Sequence, residues 1–87
     1  MSTFFLPGFT PRVIYRVIML KGGHWQPFSN YHAYKDAELT ASGLVTGGKC
    51  AACEIVRIDA DGSKIIARIS AEPAPGWPHG RAKVEKL

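Results

Sequence analysis

Residues 53–70 read CEIVRIDADGSKIIARIS, two β-branched runs on either side of Asp-Ala-Asp-Gly. Asp-Gly between such runs is a strong short-range hairpin signal. Strands that alternate apolar and polar residues must bury one face, so this hairpin needs a partner layer. The chain has 87 residues with which to provide it. A single domain of that size buries only about 60–65% of its unfolded surface, so the core must be compact.

The segments before the hairpin supply the rest. RVIYRVIMLK, residues 12–21, is rich in β-branched residues and Tyr and has no Gly or Pro, which predicts a strand. Gly22 and Gly23 form a turn, and HWQPF, residues 24–28, returns as a hairpin partner. Pro27 cannot donate to a ladder, so this second strand is expected to be short and at an edge, with SNYHAY as an irregular connection. KDAELTASGLVT, residues 35–46, predicts a helix of about three turns. Asp36 and Glu38 sit in its first turn, and Ala37, Ala41, Leu44 and Val45 form one apolar stripe. Gly43 weakens this helix, and Gly47 or Gly48 ends it in a left-handed cap. The expected fold is therefore α+β: a single antiparallel sheet in the order β-β-α-β-β, with one helix packed on one face. Residues 1–71 form the domain, and residues 72–87 form a Pro/Gly-rich basic C-terminal tail. The prolines and glycines of that tail oppose regular structure, so it is expected to run extended to Trp77 and then fray.

Alternation assigns the two faces. Val13, Tyr15, Val17 and Met19 share one side of the first strand; Ile65, Ala67 and Ile69 share one side of the last. These belong to an apolar set expected to meet the helix. The opposite set mixes Ile14, Ile18, Ile55 and Ile66 with Arg16, Arg57, Lys64 and Arg68. Such a face is too apolar for solvent and too basic for a core, so it is expected to meet a partner. That partner is a protein, a second copy of the chain in a homodimer, or nucleic acid.

Charge narrows the choice only slightly. The net charge is +4, from 11 Lys+Arg against 7 Asp+Glu, and the cations are spread along the whole chain. Any cluster must come from the fold. No apolar run approaches the roughly 20 residues of a membrane span. MSTFFLPGFTP lacks a basic start, and Pro7 and Pro11 interrupt its apolar run, so the expected location is the cytoplasm. A reducing compartment argues against a structural disulfide.

Cys50 and Cys53 form a C-x-x-C pair. One pair is half of a zinc site; His24 and His32 could complete it, but their spacing is unusual for zinc. A redox pair usually has its first Cys at a helix N-terminus, whereas this one follows a helix. The expectation is two small side chains packing where helix meets strand, with no metal and no cofactor. IDADGS, residues 58–63, shares letters with homing endonucleases and with calcium loops, but its context is a strand turn. Trp25, Phe28, Tyr31 and Tyr34 are either a stacking platform for single-stranded nucleic acid or cover for the sheet's open end. Trp77 is either docked on the body or a recognition anchor. No Ser, His and acid stand at a recognisable catalytic spacing, and KGGH and TGGK are turn and cap glycines. The chain is therefore expected not to be an enzyme.

In plan, residues 13–69 resemble small phage and mobile-element inhibitors, of which the anti-CRISPR proteins are the best-known group. These families share no signature, so no residue roles carry over. The resemblance implies a protein that blocks a larger nucleic-acid machine by occupying its surface. It also implies a CRISPR effector complex as partner and the bacterial host cytoplasm as location. The function expected from the sequence is a small non-enzymatic protein-binding module that acts through Arg16, Arg57, Lys64, Arg68, Ile14, Ile18, Ile55, Ile66 and Trp77. Direct binding of nucleic acid is the rival reading.

Overall fold

A computed structural model of the chain describes residues 13–87. The expectations for Arg12 and for the MSTFFLPGFTP segment lie outside the described residues. The elements are β1 (Ile14–Lys21), β2 (His24–Tyr31), α1 (Tyr34–Thr46), β3 (Ala52–Asp59), β4 (Gly62–Glu72) and β5 (Arg81–Lys86). They form one five-stranded sheet in the order β2-β1-β3-β4-β5, and every neighbouring pair is antiparallel. β2 and β3 both run against β1, so they are parallel to each other. The helix joins them as a crossover above β1.

Both hairpins form where the turn residues place them. Lys21 pairs with His24 across Gly22 and Gly23, and Asp59 pairs with Gly62 across Ala60 and Asp61. Asp59 tightens the second turn by accepting the Asp61 N–H on its Oδ1 at 2.9 Å. β2 lies at the sheet edge, as Pro27 requires, but it extends through Ser29, Asn30 and Tyr31, which the sequence reads as irregular. A bulge absorbs the proline: Val17 faces Ser29 and Ile18 faces Pro27, which leaves Phe28 without an opposite residue.

The helix begins one residue earlier than predicted and ends at Thr46. Its cap follows the predicted logic. The Gly48 N–H donates to the Val45 carbonyl at 3.1 Å, and the Lys49 N–H donates to the Leu44 carbonyl at 2.9 Å. Gly48 takes the left-handed φ of 72°, and the His79 ring lies 2.7 Å from where a Cβ would stand. Ala37, Ala41 and Val45 of the helix are buried against Val17, Cys53, Ile55, Ala67 and Ile69 of the sheet. The alanines have little side chain, so the helix can approach the strands closely and these few residues can make a dense core.

The expected frayed tail is instead a fifth strand. Pro73, Pro75, Pro78, Gly76 and Gly80 are used up in the connection, and RAKVEK pairs with β4 from Arg81↔Glu72 to Lys86↔Ala67. Gly80 makes the return possible. Its φ is 81°, and a Cβ there would stand 2.6 Å from the Glu72 carbonyl oxygen. Ala82 and Val84 pack against the core, and Lys86 Nζ sits 5.2 Å from the centre of the Tyr34 ring. Tyr34 in turn meets Tyr15 edge-on, with centroids 5.9 Å apart, which ties the start of α1 to both β1 and β5. The ordering cost falls on the connection alone, and the ladder with β4 offsets that of residues 81–86. The alternating RAKVEK has its own apolar face and a ladder to join. Trp77 sits at the tip of the connection, 52% exposed, and is not docked.

Deletion of residues 81–87 removes the strand that covers Ala67 and Ile69. We expect it to cost several kcal/mol, on the order of the ~5 kcal/mol total stability of a small domain. Urea unfolding followed by circular dichroism measures this directly. A midpoint unchanged from the full chain would contradict the role given to β5.

Candidate functional site

The helix covers one face of the sheet, and no element among the described residues packs on the other. The ladder registers show which side chains line this open face. Val17 is fully buried under the helix, so Arg16 and Ile18 point the other way. Arg16 pairs with Val56, Ile18 with Glu54 and Ile14 with Ile58. Val56 pairs in turn with Ile65, and Glu54 with Arg68. The open face therefore carries an apolar stripe of Ile14, Ile18, Val56, Ile58 and Ile65. Around it stand Arg16, Glu54 and Arg68.

This differs from the predicted face in five places. Ile55 is fully buried beneath the helix and pairs with Val17 and Ala67. Arg57 pairs with Tyr15 and Lys64 on the helix side of the sheet, beyond the start of α1. Ile66 is the extra residue of a bulge in β4, since Ile55 faces Ala67 while Val56 faces Ile65, and it packs against the core. Trp77 lies on the β4–β5 connection, away from the sheet face. Ile14, Ile18, Arg16 and Arg68 do share the open face. Lys64 is a fifth departure: it pairs with Arg57 on the helix side, although the residue lines the rim of the open-face hollow.

That depression is a shallow hollow of about 590 Å³ lined by Arg16, Ile18, Val56, Ile58, Ser63, Lys64 and Ile65. Val56 at its floor is 9% exposed, shielded by its long neighbours, whereas Ile65 at its wall is 40% exposed. Ile65, expected from alternation to face the helix with Ala67 and Ile69, instead lies on the open face, and Val56 and Ile58 join it there as candidates absent from the predicted face. Counting the register outward from the Ala60–Asp61 turn puts Val56 opposite Ile65. Only the bulge then restores Ala67 and Ile69 to the core, and bulges leave no mark in the periodicity.

The charges around the stripe are mostly matched. Arg68 donates from Nε and Nη2 to Glu54 Oε2 at 3.1 and 2.8 Å, and Glu85 of β5 is its register partner on the other side. Arg81 pairs with Glu72 at 3.1 Å, and Arg57 lies 3.4 Å from Asp59. Arg16 donates its Nε to the Asn30 Oδ1 at 2.9 Å, a neutral partner that leaves its charge uncompensated. Exposed pairs of this kind contribute little to stability, but they cancel positive potential.

The alternative metal set is not assembled. His24 and His32 flank opposite ends of β2, so Cys50 and Cys53 cannot meet both. Among the described residues no group of three or more His, Cys, Asp or Glu is placed to hold a metal ion. The aromatic cluster is also divided: Tyr31 and Tyr34 pack on the core, while Trp25 and Phe28 are each 47% exposed on the edge strand. No helix among the described residues is long and apolar enough to cross a membrane. A scan of protein-family models, a search of curated proteins and a search of solved structures each give no match to the chain.

The face assignment predicts opposite outcomes for neighbouring isoleucines. Ile65→Asp should keep a cooperative thermal transition, because the added charge reaches water. Ile55→Asp and Ile69→Asp should abolish it, because a buried unpaired charge costs several kcal/mol. A folded Ile55→Asp variant alongside an unfolded Ile65→Asp variant would show that the faces are reversed.

Proposed function

We propose that the chain is a small non-enzymatic protein-binding module that occupies its partner through the open face of the sheet. The observation that carries this reading is the stripe of Ile14, Ile18, Val56, Ile58 and Ile65, which no element among the described residues covers and from which Ile65 stands exposed, on a sheet whose other face is already satisfied by a helix. A protein this small gains little from presenting contiguous β-branched residues to water. It gains specificity from doing so when a partner covers them. The hollow over Val56 accepts an apolar side chain, and Arg16 at its margin suits a carboxylate beside that anchor. The partner surface that fits is therefore an apolar projection with a carboxylate beside it. An inhibitor that blocks a nucleic-acid-directed defence complex of the anti-CRISPR kind is the biological role that fits the chain's size, layout and mode of contact.

Direct binding of nucleic acid is less well supported. Phosphate binding draws on unmatched cations that release counterions. Arg57, Arg68 and Arg81 are each paired with a carboxylate of the same chain, which cancels part of their positive potential.

The test uses the tagged full chain, Ile18→Asp on the open face, and Leu39→Asp on the outer side of the helix, where Leu39 is 67% exposed. A partner captured from bacterial lysate should be retained by the wild type and by Leu39→Asp. Ile18→Asp should weaken its binding at least about a hundredfold in a purified titration, as expected for an interface anchor. Sedimentation of the isolated chain distinguishes a second copy as the occupant. Equal binding by all three proteins would exclude the open face. Salt-sensitive binding of DNA or RNA that survives Ile18→Asp would favour the rival.

A further inference from the structure

Cys50 and Cys53 lie outside the candidate interface, where the loop after α1 enters β3, and they pack against each other as expected. Their Sγ atoms lie 3.4 Å apart. A disulfide needs about 2.0 Å, so closure requires the two sulfurs to approach by about 1.4 Å. The two thiols differ in access. Cys53 is the second residue of β3 and is fully buried in the core. Cys50 is half-buried on the loop between α1 and β3, and its side is open to a cleft of about 580 Å³. Lys21, Lys49 and His79 line that cleft together with Leu20, Gly48 and Ala71. The loop is fixed on both sides of Cys50: the Lys49 N–H is held by Leu44, and the Ala51 N–H donates to the Leu20 carbonyl at 2.9 Å.

We propose that Cys50 and Cys53 are a redox-active dithiol, in which Cys50 exchanges with a small anionic disulfide held in the lysine-lined cleft and Cys53 then closes an intramolecular bridge. The division of labour follows from burial. The accessible thiol meets the incoming disulfide, and the buried one can meet only its neighbour. Desolvation, with a contribution from the neighbouring Cys50 sulfur, pushes the Cys53 thiol up to about 12, so Cys53 stays protonated and unreactive until a mixed disulfide stands beside it. Oxidised glutathione is the representative substrate, since its carboxylates suit Lys21 and Lys49.

The exchange balances in two steps. Cys50 loses its proton to water, and its thiolate attacks one sulfur of oxidised glutathione. The new Cys50–glutathione bond forms as the glutathione S–S bond breaks, and one glutathione leaves as thiolate. That thiolate, or water, takes the Cys53 proton, and the Cys53 sulfur attacks Cys50 Sγ. The protein disulfide forms as the second glutathione leaves. Two protein thiols are oxidised, and one glutathione disulfide is reduced to two thiols.

The test equilibrates the full native chain in glutathione buffers of rising oxidised fraction. The reaction is quenched with acid, and free thiols are counted by alkylation and intact mass. The wild type should pass from two free thiols to none as a monomer. Cys53→Ala should accumulate a single glutathione adduct, while the thiol of Cys50→Ser should react at least about tenfold more slowly until urea unfolds the chain. Reversing the charges at Lys21 and Lys49 to Glu should slow the reaction with oxidised glutathione at least about threefold. Circular dichroism reports whether each variant is folded, and the wild-type measurement stands without them. The proposal is overturned if both wild-type thiols stay free in the most oxidising buffer, if the bridge joins two chains, or if both single variants take up glutathione equally fast. Stoichiometric zinc that withholds both thiols from alkylation overturns it as well. An unchanged rate in the charge-reversed variant removes the anionic-substrate part.

Discussion

Val17, Ile55 and Ala67 lie side by side across β1, β3 and β4, and Ala37 and Ala41 of the helix rest above that part of the sheet. The rest of the structure depends on this contact. A helix that brings alanines to the sheet can come close, and the sheet then needs only modest side chains to fill the gap. A helix of 13 residues can cover only one face of five strands. Among the described residues, the same contact that makes the core therefore leaves the reverse side of β1, β3 and β4 without cover.

The uncovered side is not an ordinary polar exterior. The two bulges shape it. The bulge in β4 turns Ile65 outward beside Val56 and keeps Ala67 and Ile69 inward, so β4 contributes apolar side chains to both faces. The bulge in β2 sets Pro27 opposite Ile18 at the edge and lets the outer strand extend to Tyr31. Bulges bend and twist strands locally, and here they accompany the hollow over Val56. Elsewhere on the sheet Arg68 pairs with Glu54 and Arg81 with Glu72, whereas Arg16 at the hollow has only the neutral Asn30 as partner.

Local features were legible in the sequence. Gly22-Gly23 and Asp61-Gly62 mark the hairpins, Pro27 marks the edge strand, and the stripe of Ala37, Ala41, Leu44 and Val45 marks the helix and its buried side. Features that depend on pairing were not. Strict alternation cannot see the inserted Ile66, so it puts Ile55, Arg57 and Ile66 on the open face and Ile65 on the helix side, the reverse of the register. β5 was hidden behind the prolines that precede it, because its stability comes from a ladder with β4 and from Tyr34, neither of which is near it in sequence. Of the site, Ile14, Arg16, Ile18 and Arg68 were visible because β1 and the middle of β4 do alternate.

Among the described residues, the helix seals one face of the sheet and no element packs on the other, and the proposed recognition depends on that difference. The most direct measurement is nuclear magnetic resonance of the isoleucine methyl groups in the free chain, with a soluble paramagnetic agent added. The account predicts strong relaxation at Ile18, Ile58 and Ile65 and near-silence at Ile55 and Ile69. Protection of Ile18, Ile58 and Ile65 equal to that of Ile55 and Ile69 would contradict it.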